Sequence, residues 1–197
     1  MAHKTEARRQ DLYNRLLDLG EATIIARGLP ALKARELAAQ AGCSVGAIYN
    51  VFPDLHHLAL AINGRTFKRL GSQVTDATSL HSATTPSARL VAMGLAYLDF
   101  ASQNTNAWTA LFEIDMAVSE EIPDWYMAAL ENLFDHIRQP VHELRPELSP
   151  DDIEFLVRGL FSSIHGIVWL GLQKRISAVP TAELSRMITL ILSEIGS

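Results

Sequence analysis

Residues 32–58 read LKARELAAQAGCSVGAIYNVFPDLHHL, a short helix, a tight turn and a second short helix by their spacing. Leu32, Leu37, Ala38 and Ala41 put small and apolar groups on one face of the first helix. Gly42 ends it, because glycine takes the left-handed C-cap conformation without a Cβ clash. Ser44 stands one residue before a new helical run and can cap it by accepting from the amides of residues 46 or 47. Ile48 and Phe52, four apart, bury one side of the second run. Val45, Ala47 and Asn50 are left facing outward with Tyr49 beside them. Two such helices joined by a three- or four-residue turn form a helix-turn-helix, whose second helix enters the DNA major groove.

That geometry requires small outward side chains. A helix deep in a groove about 12 Å wide has no room for bulk, which suits Gly46 and Ala47. The string AAQAGCSVGAIYNVFPDLHHL, preceded by LKARE, resembles the DNA-binding segment of the TetR (tetracycline-repressor-like) family of bacterial transcriptional regulators. The shared pattern is apolar-Ala-x-x-Ala-Gly-x-Ser-x-Gly-x-apolar-Tyr-x-x-Phe, usually followed by a lysine and a leucine. Leu37, Ala38, Ala41, Gly42, Ser44, Gly46, Ile48, Tyr49, Phe52 and Leu58 match it. The likeness covers roughly the first third of the chain, and beyond that it is one of layout. Val51 stands where the family often has a histidine or tyrosine that touches phosphate, and Leu55 where a lysine is common. Both departures imply weaker non-specific affinity, with His56 as a partial substitute. The expected DNA contacts are Lys33, Arg35, Ser44, Val45, Gly46, Ala47, Tyr49 and Asn50.

The charge distribution agrees. The net charge of −5 looks wrong for a DNA-binding chain until it is divided. Residues 1–70 carry ten Lys/Arg against six Asp/Glu (+4), and residues 71–197 carry seven against sixteen (−9). A basic head on an acidic body turns the molecule toward phosphate. Lys4, Arg8 and Arg9 open the first helix, where an arm would reach the backbone or simply be solvated.

At 197 residues with 48% hydrophobic content, the chain can build a real core. No apolar run reaches the eighteen or so residues of a membrane span, and MAHKTEARRQ lacks the apolar stretch of a signal peptide. A cytoplasmic protein without membrane partners is expected. The single cysteine, Cys43, reads as a small hydrophobe in the hairpin turn and precludes an intramolecular disulfide. His56 and His57 are adjacent, so on a helix they diverge and cannot share a metal. No metal site, no cofactor and no enzymatic nucleophile–base arrangement is expected; Glu113 and Asp115, two apart, face different ways.

The expected fold class is all-α: a three-helix head in residues 1–53 joined to a larger helical bundle in residues 54–197. Leu12, Leu16, Leu19, Thr23 and Ile24 recur at helical spacing over residues 5–27, stopped by Gly28 and Pro30. A linking helix runs from Asp54 to Thr75, and residues 76–86 read as a loop. A helix from Ser87 to Gln103 follows, then a break at Asn104–Asn106 and a short helix through Trp108 and Phe112. Pro123 at N1 begins another, which Pro140 kinks or divides. Ser149, Pro150 and two aspartates start the next. That helix carries one stripe of Ile153, Leu156, Leu160, Ile164, Ile167 and Gly171, and a second of Phe155, Gly159, Ser162, Gly166 and Trp169. A helix apolar on both sides must be buried on both. The last helix, residues 182–195, turns Leu184, Met187, Ile188, Ile191 and Ile195 to one face. In the TetR-like layout the final two helices pair with their copies into a homodimer; a thick monomer core would show the same pattern. The segment IHGIVWLGL also resembles a subgroup of the family with a Trp/His–Gly signature.

Met93, Tyr97, Phe100, Trp108, Phe112, Met116, Trp125, Tyr126, Phe161, His165 and Trp169 are the candidate lining of an effector pocket, with Tyr97, Tyr126 and His165 as its polar groups. The functional expectation is a homodimeric regulator, a repressor of palindromic operator DNA released by a small hydrophobic or aromatic effector. Two alternatives stay open: a DNA-binding protein with no effector, and a helical small-molecule binder without DNA function.

Overall fold

The computed structural model describes residues 2–79, 85–114, 122–173 and 180–196, side chains excepted at residues 2–4 and 196. It is all-α, with no strand among the described residues. The helices are α1 (Ala2–Arg27), α2 (Ala34–Ala41), α3 (Val45–Tyr49), α4 (Leu55–Ser79), α5 (Pro86–Gln103), α6 (Thr105–Glu113), α7 (Asp124–Leu144), α8 (Pro150–Leu172) and α9 (Leu184–Ser193). Two compact units divide them: Met1–Thr66 with Asn104–Tyr126, and Phe67–Gln103 with Met127–Ser197.

The first unit is built on the apolar faces expected from the sequence. Leu16, Ile24, Leu37, Ile48, Leu58 and Ile62 are fully buried in one cluster, and Ala110 of α6 joins it. Tyr13 stacks on Phe52 with ring centroids 4.7 Å apart. Arg65 on α4 reaches Asp18 at 2.6 Å and Glu21 at 2.8 Å on α1. Two asparagines secure α6. Asn106 Nδ2 donates to the Ile25 carbonyl (3.0 Å), and the buried Asn63 Nδ2 to the Ala110 carbonyl (2.9 Å). The second satisfies a backbone acceptor that burial would otherwise make costly.

In the second unit, α9 lies against α5 and α8 where glycine permits it. A Cβ at Gly94 would sit 2.7 Å from Ile188 and Leu192, and one at Gly171 would sit 2.5 Å from Leu184. Ser149 caps α8 by accepting from the Asp152 amide at 3.2 Å, with Pro150 first in the helix and Asp151 and Asp152 in its first turn. This is the expected start.

Several local expectations are corrected. The linking helix continues through Ser79, so residues 76–79 are helix rather than loop; Thr75 and Thr78 bond back to carbonyls one turn earlier and compete less for non-helical turns. Asn104 alone separates α5 from α6, its carbonyl accepting from Trp108. Pro123 precedes α7 instead of opening it, and its carbonyl accepts from Tyr126. Pro140 lies inside a continuous α7 and does not divide it. On α8 the buried stripe is Ile153, Val157, Leu160, Ile164, Val168 and Gly171, with Leu156 and Ile167 only half-buried. On α9 Leu192 is buried in place of Ile191.

The second stripe of α8 is open. Phe155 is 76% exposed, Gly159 and Ser162 are exposed, and on α9 Leu190 is 57% exposed. One correction concerns length and hydropathy. Pro150–Leu172 is long and apolar enough to cross a membrane by those criteria alone. It meets them despite Arg158, Ser162, Ser163 and His165, which interrupt any continuous apolar run.

Candidate DNA-reading helix and ligand cavity

Gly42 adopts φ 65° and ψ 36°, the left-handed conformation that stops α2, and the Cys43 amide donates to the Ala38 carbonyl at 3.0 Å. The chain then turns at once into α3. Ser44 Oγ accepts from the Ala47 amide at 3.2 Å, so the cap falls on the later of the two expected amides. Ser44→Ala should cost about 1 kcal/mol of stability, the usual worth of such a cap, read as a lowered denaturation midpoint. An unchanged midpoint would remove the cap from the account.

Ser44, Gly46, Tyr49 and Asn50 are exposed, and Ala47 is half-exposed. Val45 is not turned fully outward, since it packs partly against the head core. Lys33 and Arg35 are exposed at the start of α2. Val51 and Leu55 are half-buried on the head core, so each adds apolar packing where the family pattern has a polar group.

Other residues position this surface without having been singled out for it. Arg9 Nε donates to the Asn50 carbonyl at 3.4 Å, so this basic residue of α1 also braces the end of α3. Arg15 donates to the Ala41 carbonyl at 3.1 Å and pairs with Asp11. Cations at helix C-termini meet the negative end of the dipole. Asp54 caps α4, accepting from the His57 amide at 2.8 Å. Burial pushes its carboxyl up, but the His57 amide and the His57 and His56 rings outweigh that and hold it below the usual value. Arg8 is exposed, and the side chain of Lys4 lies outside the described residues.

The expected pocket residues divide between the two units. Trp108, Phe112, Trp125 and Tyr126 belong to the first; Met116 lies outside the described residues. Trp108 is completely buried and meets Phe112 edge-on at 5.7 Å. Trp125 lies over Gly64, where a Cβ would come within 2.9 Å of its ring. Burial pushes the Tyr126 phenol up, with the neighbouring Asn63 amide pulling the other way.

Met93, Tyr97, Phe100, Phe161, His165 and Trp169 belong to the second unit. Met93, Tyr97 and Phe161 border a cavity of about 90 Å³, together with Leu70, Val74, Leu90, Gly94, Leu133, His136, Ile137, Leu160, Ile164 and Leu192. Phe100 is buried outside that lining. Tyr97 Oη and His165 Nδ1 lie 2.8 Å apart. Burial holds the His165 imidazole below its usual value, favouring the neutral ring. His165 stacks on Phe161 (5.6 Å) and tilts against Trp169 (5.8 Å). The aliphatic majority of the lining gave no signal in the sequence, because leucine and isoleucine at helical spacing look alike whether they fill a core or border a void.

Solved structures resemble the chain along nearly all of its length. A protein of unknown function from Rhodococcus sp. RHA1 is 23% identical with a TM-score of 0.75, covering 93% of this chain and 94% of its own. A tetR-family transcriptional regulator from Streptomyces coelicolor is 22% identical with a TM-score of 0.61, covering 96% and 80%. The transcriptional regulator FadR from Bacillus subtilis, solved in complex with stearoyl-CoA, is 14% identical with a TM-score of 0.70, covering 94% and 99%. At these identities the likeness is one of fold. No curated protein matches the chain. Residues 16–62 match the family model described as bacterial regulatory proteins, tetR family, and residues 90–193, more than half the chain, match the tetracyclin repressor-like C-terminal domain. With a capped helix-turn-helix under the first match and a helical unit under the second, the chain belongs to the tetR family, a DNA-binding transcriptional regulator with a ligand-binding C-terminal domain.

Proposed function

We propose that the protein is a ligand-responsive repressor that binds palindromic operator DNA as a homodimer in the cytoplasm and is released by a small hydrophobic effector. Residues 1–53 are the DNA-binding domain on this reading, and residues 54–197 bind the effector and the second subunit. Lys33, Arg35 and Tyr49 meet phosphate, while Gly46, Ala47 and Asn50 face base edges. The observation that carries the reading is the outward surface of α3, short, capped by Ser44 and presenting only small side chains beside Tyr49. A helix with that profile fits the major groove and serves no purpose in its own core. The open apolar faces of α8 and α9 support the dimer.

Release requires that the effector prefer the state whose heads do not fit the operator. Moving the equilibrium from 1:99 to 99:1 takes about 5.5 kcal/mol of differential binding. For DNA recognition the test is half-site spacing. Two linked heads read two half-sites about 34 Å apart, or a multiple of that, along one face of the duplex. Inserting five base pairs between half-sites puts them on opposite faces, and a footprint should then disappear. Full protection after the insertion would refute the paired reading of DNA.

A further inference from the structure

The cavity has a polar neighbour. A second hollow of about 380 Å³ shares Met93 and His136 with it and is otherwise bordered by Thr78, Ser79, Arg89, Asp135, Gln139 and Pro140. The cavity itself is almost wholly aliphatic and aromatic, whereas the adjoining side carries hydroxyls, an amide and charge. Asp135 is engaged by Arg138. Arg89 is mostly buried and gives one terminal nitrogen to Glu143, while its buried Nε has no hydrogen-bond partner among the described residues.

We propose that the ligand of this unit is a short-chain carboxylate, its tail in the apolar cavity and its head held by Arg89 and His136. This rests on reading the cavity as the effector site, and it names the effector's chemistry. A guanidinium carries five donors in a planar fork. A buried donor of that kind left unpaired is costly, and a carboxylate oxygen relieves it best because the bond is charge-assisted and the geometry matches. An ammonium head would meet Arg89 as a like charge. An alcohol would supply only a neutral acceptor. The tail is bounded by volume: about 90 Å³ is less than the roughly 150 Å³ that admits benzene. A long acyl chain exceeds that volume.

Calorimetric titration of the full-length protein with pentanoate, pentan-1-ol, pentylamine and hexadecanoate tests this. Pentanoate should bind about tenfold or more tighter than the alcohol, as one charge-assisted bond provides, and tighter than the amine or the long acid. Arg89→Gln should remove that advantage, so that the acid binds no tighter than the alcohol. Glu143→Gln, which frees the guanidinium from its present partner, should tighten pentanoate severalfold, a gain that misfolding cannot imitate. Equal binding of acid and alcohol, unmoved by either substitution, would overturn the head-group assignment and leave the cavity as a ligand site. Binding of none of the four probes would overturn the cavity reading itself, and the assignment with it.

Discussion

A chain carrying Phe155→Asp and Leu190→Asp together should be monomeric, and its affinity for a two-half-site operator should fall by roughly 10²–10⁴, the usual avidity of two linked sites. Phe155 and Leu190 are 76% and 57% exposed, with Leu170 and Ile191 also open, so the substitutions remove nothing from the subunit's own core. Exposed apolar groups of this size, placed on two helices with Gly159, Ser162 and Gly166 among them, suit close approach of another helix pair. Fully burying one such side chain is worth about 1.5–3 kcal/mol. Two-fold symmetry repeats each loss on the partner. An aspartate at each position would also bring unpaired charge into the interface. Sedimentation should report the monomer while the helical signal stays intact. If the variant sedimented as a dimer, another surface would make the contact, and the open faces of α8 and α9 would need a different account.

The head was legible because its signals are local. Gly42, Ser44, Ile48 and Phe52 sit within one short segment, and each fixes a backbone feature or a buried face by its own chemistry. The start of α8 was legible for the same reason. Less was readable where the outcome depends on tertiary packing. Val157 and Val168 displace Leu156 and Ile167 from the buried stripe, a shift of one position that helical periodicity alone does not resolve. Pro140 stays inside a continuous helix although its missing N–H disfavours that position. The aromatic residues show the limit most plainly. Tyr97 and Phe161 border the cavity while Trp108 fills the core of the first unit, yet in the sequence all three are large apolar side chains on amphipathic helices. Arg89 gave no signal in the sequence, since its neighbours Glu143 and His136 stand about fifty residues away in the chain.

That division of the aromatic residues sets a second large effect. Trp108→Ala should cost about 3–5 kcal/mol, the range for deleting a buried tryptophan, and lower the melting temperature by roughly 6–20 °C for a chain of this size. Trp108 is completely buried in the first unit, on the helix that Asn106 and Asn63 tie to the carbonyl of Ile25 and the stem of α4. The void would loosen the support under the DNA-reading helices, so operator affinity should fall along with stability. Phe112, its edge-on neighbour, is 40% exposed, and Phe112→Ala should cost well under half as much because water already reaches the ring. Neither residue borders the cavity, so pentanoate binding below the melting transition should be unchanged in both. Thermal denaturation, DNA titration and calorimetry on the two variants separate the possibilities. A Trp108→Ala protein that melted normally but lost ligand affinity would move Trp108 out of the core of the first unit and into the effector site.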